Sequence, residues 1–200
     1  MDKRNALAPT LSRTSPVLFL ILIIANCIIN PSYNSFYLLI SYNVVNLSNW
    51  TIKHAIFKPL YNIFNKHSIP ILGIGARPDK AMGCGFVNDN VLSTSYGMPS
   101  GHSQIAWTVA TYIIIKIIKN MLLDYHKKDN KQIIYFRYGW LILSCILILC
   151  VVVYISYSRV YIEGCHTIQQ VTLGGLLGII SGFIIYYLEN DIIDLIRIII

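Results

Sequence analysis

Charge is what this sequence has least of. Asp, Glu, Lys and Arg make up 12% of its 200 residues, about half the share of a soluble domain. Hydrophobic residues make up 55%, and the mean hydropathy is +0.57. A soluble helical core of this composition would leave several uncharged apolar runs with no surface to pack on. An integral membrane protein is therefore expected. Acid is scarcest, with nine Asp and Glu against sixteen Lys and Arg. The surplus does not point to nucleic acid. Lys116, Lys119, Lys127, Lys128, Lys131 and Arg137 flank one stretch, the pattern of a cytoplasmic membrane loop. Cys-x-x-Cys spacing is missing among the five cysteines, so no zinc site is suggested. Cys27, Cys145 and Cys150 lie in apolar runs and read as packing residues. Cys84 and Cys165 flank the motif region. Free thiols are their expected state, with a disulfide as the alternative in an oxidising lumen. Internal repeats and low-complexity runs are absent. No small-residue cleavage site follows the basic start (Lys3, Arg4, Arg13), so the first apolar run reads as a retained span.

Five apolar segments can be drawn, at about 16–29, 35–57, 102–123, 132–157 and 168–188. A helical span needs roughly 20 residues, and the last three qualify easily. The first is short, ended by Asn30-Pro31. The second carries polar Asn43, Asn46, Ser48 and Asn49, which in a span face a neighbour or a cavity. The sequons at Asn46 and Asn49 read as unused. Between spans two and three, residues 58–101 are rich in Gly and Pro and long for a plain connection. An active-site cap or re-entrant loop is expected there. Asn190–Ile200 reads as a tail along the membrane surface. The fold expectation is an all-α, polytopic membrane bundle of about five spans. One membrane domain covers 1–200, with its motif-bearing core at about 46–188.

Three short motifs carry the chemistry: Arg77-Pro78, Pro99-Ser100-Gly101-His102, and Ser158-Arg159 followed by His166. Each lies at a span end. Successive spans alternate direction, so all fall on one membrane face. Arginines hold phosphate oxygens by forked hydrogen bonds. One histidine can attack phosphorus while another protonates the leaving oxygen. His166 and Gln170 are helical neighbours, and the Gln170 carbonyl can fix the tautomer a nucleophilic imidazole needs. Ser100-Gly101 opens a helix whose N-terminal N–H groups attract phosphate. The plainer readings are a capping serine, a hydrogen-bonded helix-start histidine and snorkelling arginines. Lys53 and His54, ionisable within an apolar segment, are candidates by default.

Together these residues resemble the superfamily of type 2 phosphatidic acid phosphatases and vanadium haloperoxidases, whose pattern is Lys-x6-Arg-Pro, Pro-Ser-Gly-His and Ser-Arg-x5-His-x3-Asp. They look most like its dolichyl diphosphatase branch, from Tyr96–Gln104 through Ser158–Tyr161, His166-Thr167 and Gln170-Val171. In that branch glutamine commonly stands where the wider superfamily has aspartate. The resemblance covers about 46–182. It implies that His166 is the nucleophile and His102 the acid, with Gln170 beside the nucleophile. It implies that Lys53, Arg77, Ser100, Gly101 and Arg159 hold phosphate, with no metal and no cofactor. Two spacings depart from the pattern. Lys53 and Arg77 are separated by 23 residues, which brings Lys58 and Lys66 forward as substitutes, and Arg159 and His166 by six.

The implied activity is hydrolysis of a polyprenyl (dolichyl-type) diphosphate through a phosphohistidine. The alternatives are a phosphatidate or other lipid monoester phosphatase and an inactive lipid-binding member. A haloperoxidase would be soluble, and a transporter would place its charges at mid-membrane. The implied partners are a lipid-linked phosphate and the bilayer, with no nucleic acid and no obligatory protein. The expected location is the endoplasmic reticulum of a eukaryote, with a lumenal or extracytoplasmic site. Five spans put the basic N-terminus on the site face, against the positive-inside rule. A missed or re-entrant segment in 17–57 would reconcile the two.

Overall fold

The computed structural model describes residues 7–63, 68–85, 91–93, 95–125 and 131–199. Lys3, Arg4, Lys66, His67, Lys127 and Lys128 lie outside them. The chain folds as an all-helical bundle. Its elements are α1 (Leu7–Ile29), α2 (Tyr33–Thr51), α3 (Lys58–Ile63), β1 (Ser68–Ile69), β2 (Gly73–Ile74), α4 (Gly101–Tyr125), α5 (Lys131–Tyr157) and α6 (Ile168–Ile199). Two π-helical turns, Ile52–Phe57 and Ser158–Ile162, follow α2 and α5. Among the described residues, α1, α4, α5 with its π turn, and α6 are long and apolar enough to cross a membrane. The polar α2 is not among these four. Its 19 residues still reach about 28 Å at helical rise.

The expected spans 102–123 and 132–157 match α4 and α5 closely. The first span is longer than expected: α1 starts at Leu7 and carries Pro16 inside it. Asn30-Pro31 ends it as expected, and Ser32 caps α2 by accepting from the Ser35 N–H at 3.2 Å. The last span is also longer. The residues expected as a surface tail continue α6 to Ile199.

Contacts at both ends establish that α1 and α2 are antiparallel neighbours. At the motif end, the Arg13 carbonyl meets His102. At the other end, Tyr37 of α2 donates to the Ile185 carbonyl at 2.7 Å, and Arg197 lies over the Tyr33 ring. Residues 17–57 run through α1, α2 and the π turn, with no re-entrant loop among them. Arg13 is buried in protein, 4% exposed, so it does not act as a loop charge.

Glycines let α4 and α6 lie close. A Cβ at Gly174 would strike the Ser100 carbonyl, one at Gly178 the Gln104 carbonyl, and one at Gly182 would come within 2.8 Å of the Thr108 carbonyl. This is the small-residue contact expected where apolar lipid gives helices no hydrophobic reason to associate. Ser103 fastens the crossing by donating to the Val171 carbonyl at 2.8 Å. Lipid-facing Ile142, Ile146 and Val153 on α5 stay exposed. Backbone oxygens cannot rotate away, so Gly178→Val must push the helices apart. The expected loss is about 1–3 kcal/mol, read as a lower melting temperature in detergent. An unchanged melt would mean that the close crossing is not needed.

The 58–101 stretch is irregular, as expected. It holds α3, an antiparallel β1–β2 pair (Ser68 opposite Ile74) and a bridge between Met82 and Leu92. Tyr61 of α3 supports the pair by donating to the Gly73 carbonyl at 2.8 Å.

Candidate active site

Gln170 organises the motif face. It sits at 0% exposure in the first turn of α6. With Thr167 it forms a capping box: the Gln170 N–H reaches Thr167 Oγ1 and the Thr167 N–H reaches Gln170 Oε1, both at 3.4 Å. Its Nε2 donates to the carbonyls of Ile74 (2.8 Å) and Ala76 (2.7 Å). Those two acceptors fix which way the amide points. Oε1 therefore faces His166 Nδ1 at 2.9 Å, and Nδ1 must carry the hydrogen. His166 Nε2 is left with a bare lone pair, and Arg77 Nη1 donates toward it at 3.1 Å. Gly97 permits this packing, since a Cβ there would come within 2.7 Å of the Gln170 amide.

The predicted phosphate residues converge on the same place. Arg77 is held by Ser95, whose Oγ accepts from Nε (3.0 Å) and Nη2 (2.8 Å), and by the Cys165 carbonyl at 2.9 Å. Arg159 is fully buried between the Glu163 carboxylate and the Cys84 carbonyl, the latter 2.9 Å from Nη2. Ser100 leads into α4, and its backbone N–H donates to the Gln170 carbonyl at 3.0 Å. Gly101 lies against Asn49, whose Oδ1 would be 3.1 Å from a Cβ there. Asn49 is itself buried, donating to Gln104 Oε1 at 2.7 Å. Among the described residues, Ser100 Oγ and Arg159 Nε are buried with no hydrogen-bond partner. Ser100 thus does not cap its own helix with its side chain. Two orphaned groups on two predicted phosphate residues are what an anion site looks like before its ligand.

Both departures from the motif spacing have a local structural answer. Despite the long insertion, Lys53 lies within electrostatic reach of Arg77 and Arg159. Lys58 is exposed. The extra residue between Arg159 and His166 is absorbed by the π turn, where the Glu163 N–H bonds back five residues to the Ser158 carbonyl at 2.9 Å, and by Gly164 at φ +63°. The other π turn carries Lys53. Single π turns recur at functional sites.

His102 is placed by α1. A carbonyl only accepts, so Nε2 must donate to the Arg13 oxygen, 2.9 Å away. Nδ1 is then the nitrogen free for proton transfer. Sequence reasoning missed three contributors. Arg13 contributes its backbone carbonyl, which has no side-chain signature in the sequence. Glu163 was passed over in a spacer, although it stands four residues after Arg159, the spacing of a helical ion pair. Nothing in the sequence marked Ser95. The free-thiol expectation is also overturned: Cys84 and Cys165 are joined in a disulfide, with Cα atoms 5.6 Å apart.

Burial and positive neighbours set the protonation states. His166 is held well below its ordinary 6.5, first by burial, then by Arg77 and Arg159, with Gln170 opposing. It is neutral at physiological pH, as a nucleophile must be. Arg77 is lowered to about 10 by burial and then by Arg159, with Glu163 opposing. It stays charged. Among the described residues, no three His, Cys, Asp or Glu side chains gather as metal ligands.

The family model described as "PAP2 superfamily" matches residues 36–194. The chain belongs to the PAP2 superfamily. The match takes in every predicted site residue, while Arg13 lies before it. Among curated proteins the chain is similar to three proteins named Dolichyldiphosphatase 1. That of Homo sapiens is 32% identical over 130 residues, which is 65% of this chain and 42% of the relative. That of Rhinolophus ferrumequinum is likewise 32% identical, with the same two shares. That of Mus musculus is 29% identical over 145 residues, 72% and 48% respectively. The chain thus spans less than half the length of these PAP2 relatives. No solved structure matches it.

Proposed function

We propose that this chain is a membrane-bound, metal-independent lipid phosphatase that hydrolyses a polyprenyl diphosphate through a phosphohistidine on His166. The observation that carries the reading is the His166 tautomer. Nε2 carries no hydrogen and faces the half-buried Arg77, and Nδ1–H is anchored on Gln170. Similarity to proteins named dolichyldiphosphatase supports the substrate class.

In this mechanism the lipid tail stays in the bilayer and the head group enters the motif face. Arg77, Arg159, Lys53 and the Ser100-Gly101 helix start hold the terminal phosphate. Nε2 of His166 attacks phosphorus while the bond to the bridging oxygen breaks. His102 passes to that oxygen, from Nδ1, a proton taken up together with the phosphate anion, and lipid monophosphate leaves. Water then attacks the phosphohistidine, His102 takes its proton, and phosphate departs. Two arginines beside the transferring group supply electrostatic stabilisation where charge develops.

The Cys84–Cys165 disulfide on this face supports an oxidising, lumenal or extracytoplasmic orientation. Lys116, Lys119 and Arg137, on α4 and α5 away from the motif face, then face the cytoplasm, in keeping with the positive-inside rule.

The test is phosphate release by detergent-purified protein in EDTA, from polyprenyl diphosphate and from phosphatidate. Release from the diphosphate is expected, lowered on the order of 10⁴-fold or more in His166→Ala. Preference for phosphatidate would keep the mechanism and change the substrate. Release from neither would overturn the reading.

The pH profile adds a check. kcat/KM reports the free enzyme's groups. With His166 held below 6.5, its acid limb belongs below pH 6.5. Stability follows the same sign. It is complete above pH 6.5 and declines as pH falls below that, where the unfolded chain takes a proton that folded His166 refuses. An acid limb of kcat/KM lying above pH 6.5 would contradict the burial argument.

A further inference from the structure

We infer that Glu163 is a positioning residue that aims Arg159 at the phosphate and limits how tightly product phosphate is held. The inference rests on the phosphatase reading above, and concerns a residue outside the superfamily motif.

Glu163 is 7% exposed and uses both carboxylate oxygens. Oε2 takes Nη1 of Arg159. Oε1 accepts from Ser158 Oγ at 3.0 Å. Arg159 Nη2 is fixed from the other side by the Cys84 carbonyl. With both Nη groups held, the guanidinium cannot swing, and its Nε, without a partner among the described residues, is the edge left for a ligand. The carboxylate is held in turn. Ser158 and Arg159 lie in the π turn, Gly164 takes a left-handed turn, and Cys165 is tied to Cys84. The extra residue in the Arg159–His166 spacing belongs to this arrangement.

The charge matters as much as the geometry. Lys53, Arg77 and Arg159 are mutually repelling cations around the two histidines. Glu163 also reaches Arg77 electrostatically. Charges interact strongly where water is excluded. Without Glu163 the same cations would bind substrate and product phosphate more tightly. Uniform tightening does not speed chemistry, and slow phosphate release would limit turnover. A fixed carboxylate lowers that affinity while keeping the arginine aimed.

The probe is inorganic phosphate, measured by calorimetric titration on detergent-purified protein and as a competitive inhibitor of phosphate release. Glu163→Gln keeps the shape and an acceptor for Arg159 but removes the charge. Its dissociation constant for phosphate is expected to fall about tenfold, with kcat and KM falling together. Glu163→Ala is the second variant, useful should the first fail to fold. It is expected to bind phosphate more tightly as well, with a larger loss of kcat because Arg159 is no longer aimed. Glu163→Asp keeps the charge and shortens the reach, and is expected to lose kcat without tighter phosphate binding. Wild-type protein that binds phosphate, with unchanged affinity in both neutral variants, overturns the inference and leaves the phosphatase reading intact. Wild-type protein that neither binds phosphate nor releases it from lipid overturns both.

Discussion

Gln170→Glu is expected to lower kcat/KM at least 100-fold and to destabilise the folded chain by about 3–5 kcal/mol, the cost of a buried carboxylate set against two carbonyl oxygens. The change adds no bulk and would give His166 a stronger acceptor, so proximity alone predicts improvement. The far side of the amide decides otherwise. Gln170 Nε2 donates to the Ile74 and Ala76 carbonyls. Glutamate would set a carboxylate oxygen against both, leaving three oxygens without a hydrogen at a site with no exposure to water. Gln170→Ala loses the same bonds without adding charge and is expected to cost less, about 1–3 kcal/mol. Thermal melting and steady-state kinetics on the two variants separate the terms. A glutamate variant as stable and active as wild type would mean that the amide points the other way, and the His166 tautomer would change with it. The same contacts explain why glutamine suits a position where the wider superfamily carries aspartate. The loop at 74–76 presents two acceptors that the amide satisfies and a carboxylate does not.

Removing the Cys84–Cys165 disulfide is the second large effect. The bridge joins residues 81 apart in sequence. Its loss is expected to cost about 2–4 kcal/mol by freeing the unfolded chain. The catalytic consequence comes from what the two cysteines carry. The Cys84 carbonyl holds Arg159 and the Cys165 carbonyl holds Arg77, and Cys165 directly precedes His166. One covalent link thus ties together the loops that aim both arginines and the nucleophile. Cys84→Ser, Cys165→Ser or a reductant is expected to lower kcat/KM more than tenfold at temperatures where the protein stays folded. The reductant should do nothing further to the serine variants. Full activity in reduced, folded protein would show that packing alone holds the loops.

Much of this was legible in the sequence, for physical reasons. Apolar runs with sparse charge mark helices facing lipid, so α4 and α5 fell close to their drawn limits. The alternation of spans put the three motifs on one face without any coordinate, and the structure brings Lys53, Arg77, Ser100, Gly101, His102, Arg159, His166 and Gln170 together there. The His166–Gln170 contact followed from helical spacing alone. What sequence could not reach was contact between distant segments. The Arg13 carbonyl at His102 joins residues 89 apart, and the Cys84–Cys165 bond joins segments that no local pattern relates. Backbone acceptors such as those of Ile74 and Ala76 have no side-chain signature at all. The π turns were missed for a different reason. A one-residue insertion looks like a defect on a motif template, whereas a helix can absorb it in a single widened turn. The length of α6 was underestimated because charged Asp191, Asp194 and Arg197 end an apolar run without ending a helix.

The most direct measurement is a rapid-quench experiment with polyprenyl diphosphate labelled in the terminal phosphate. The protein is denatured in base within milliseconds and digested. Phosphate on a histidine survives base and is lost in acid. The expected result is base-stable, acid-labile label on the peptide containing His166. It should be absent in His166→Ala and should build up in His102→Ala when a substrate with a good leaving group is used, because that variant can form the intermediate but cannot activate water. Phosphate release with no label on the peptide, or label undiminished in His166→Ala, would contradict the assignment of His166 as nucleophile.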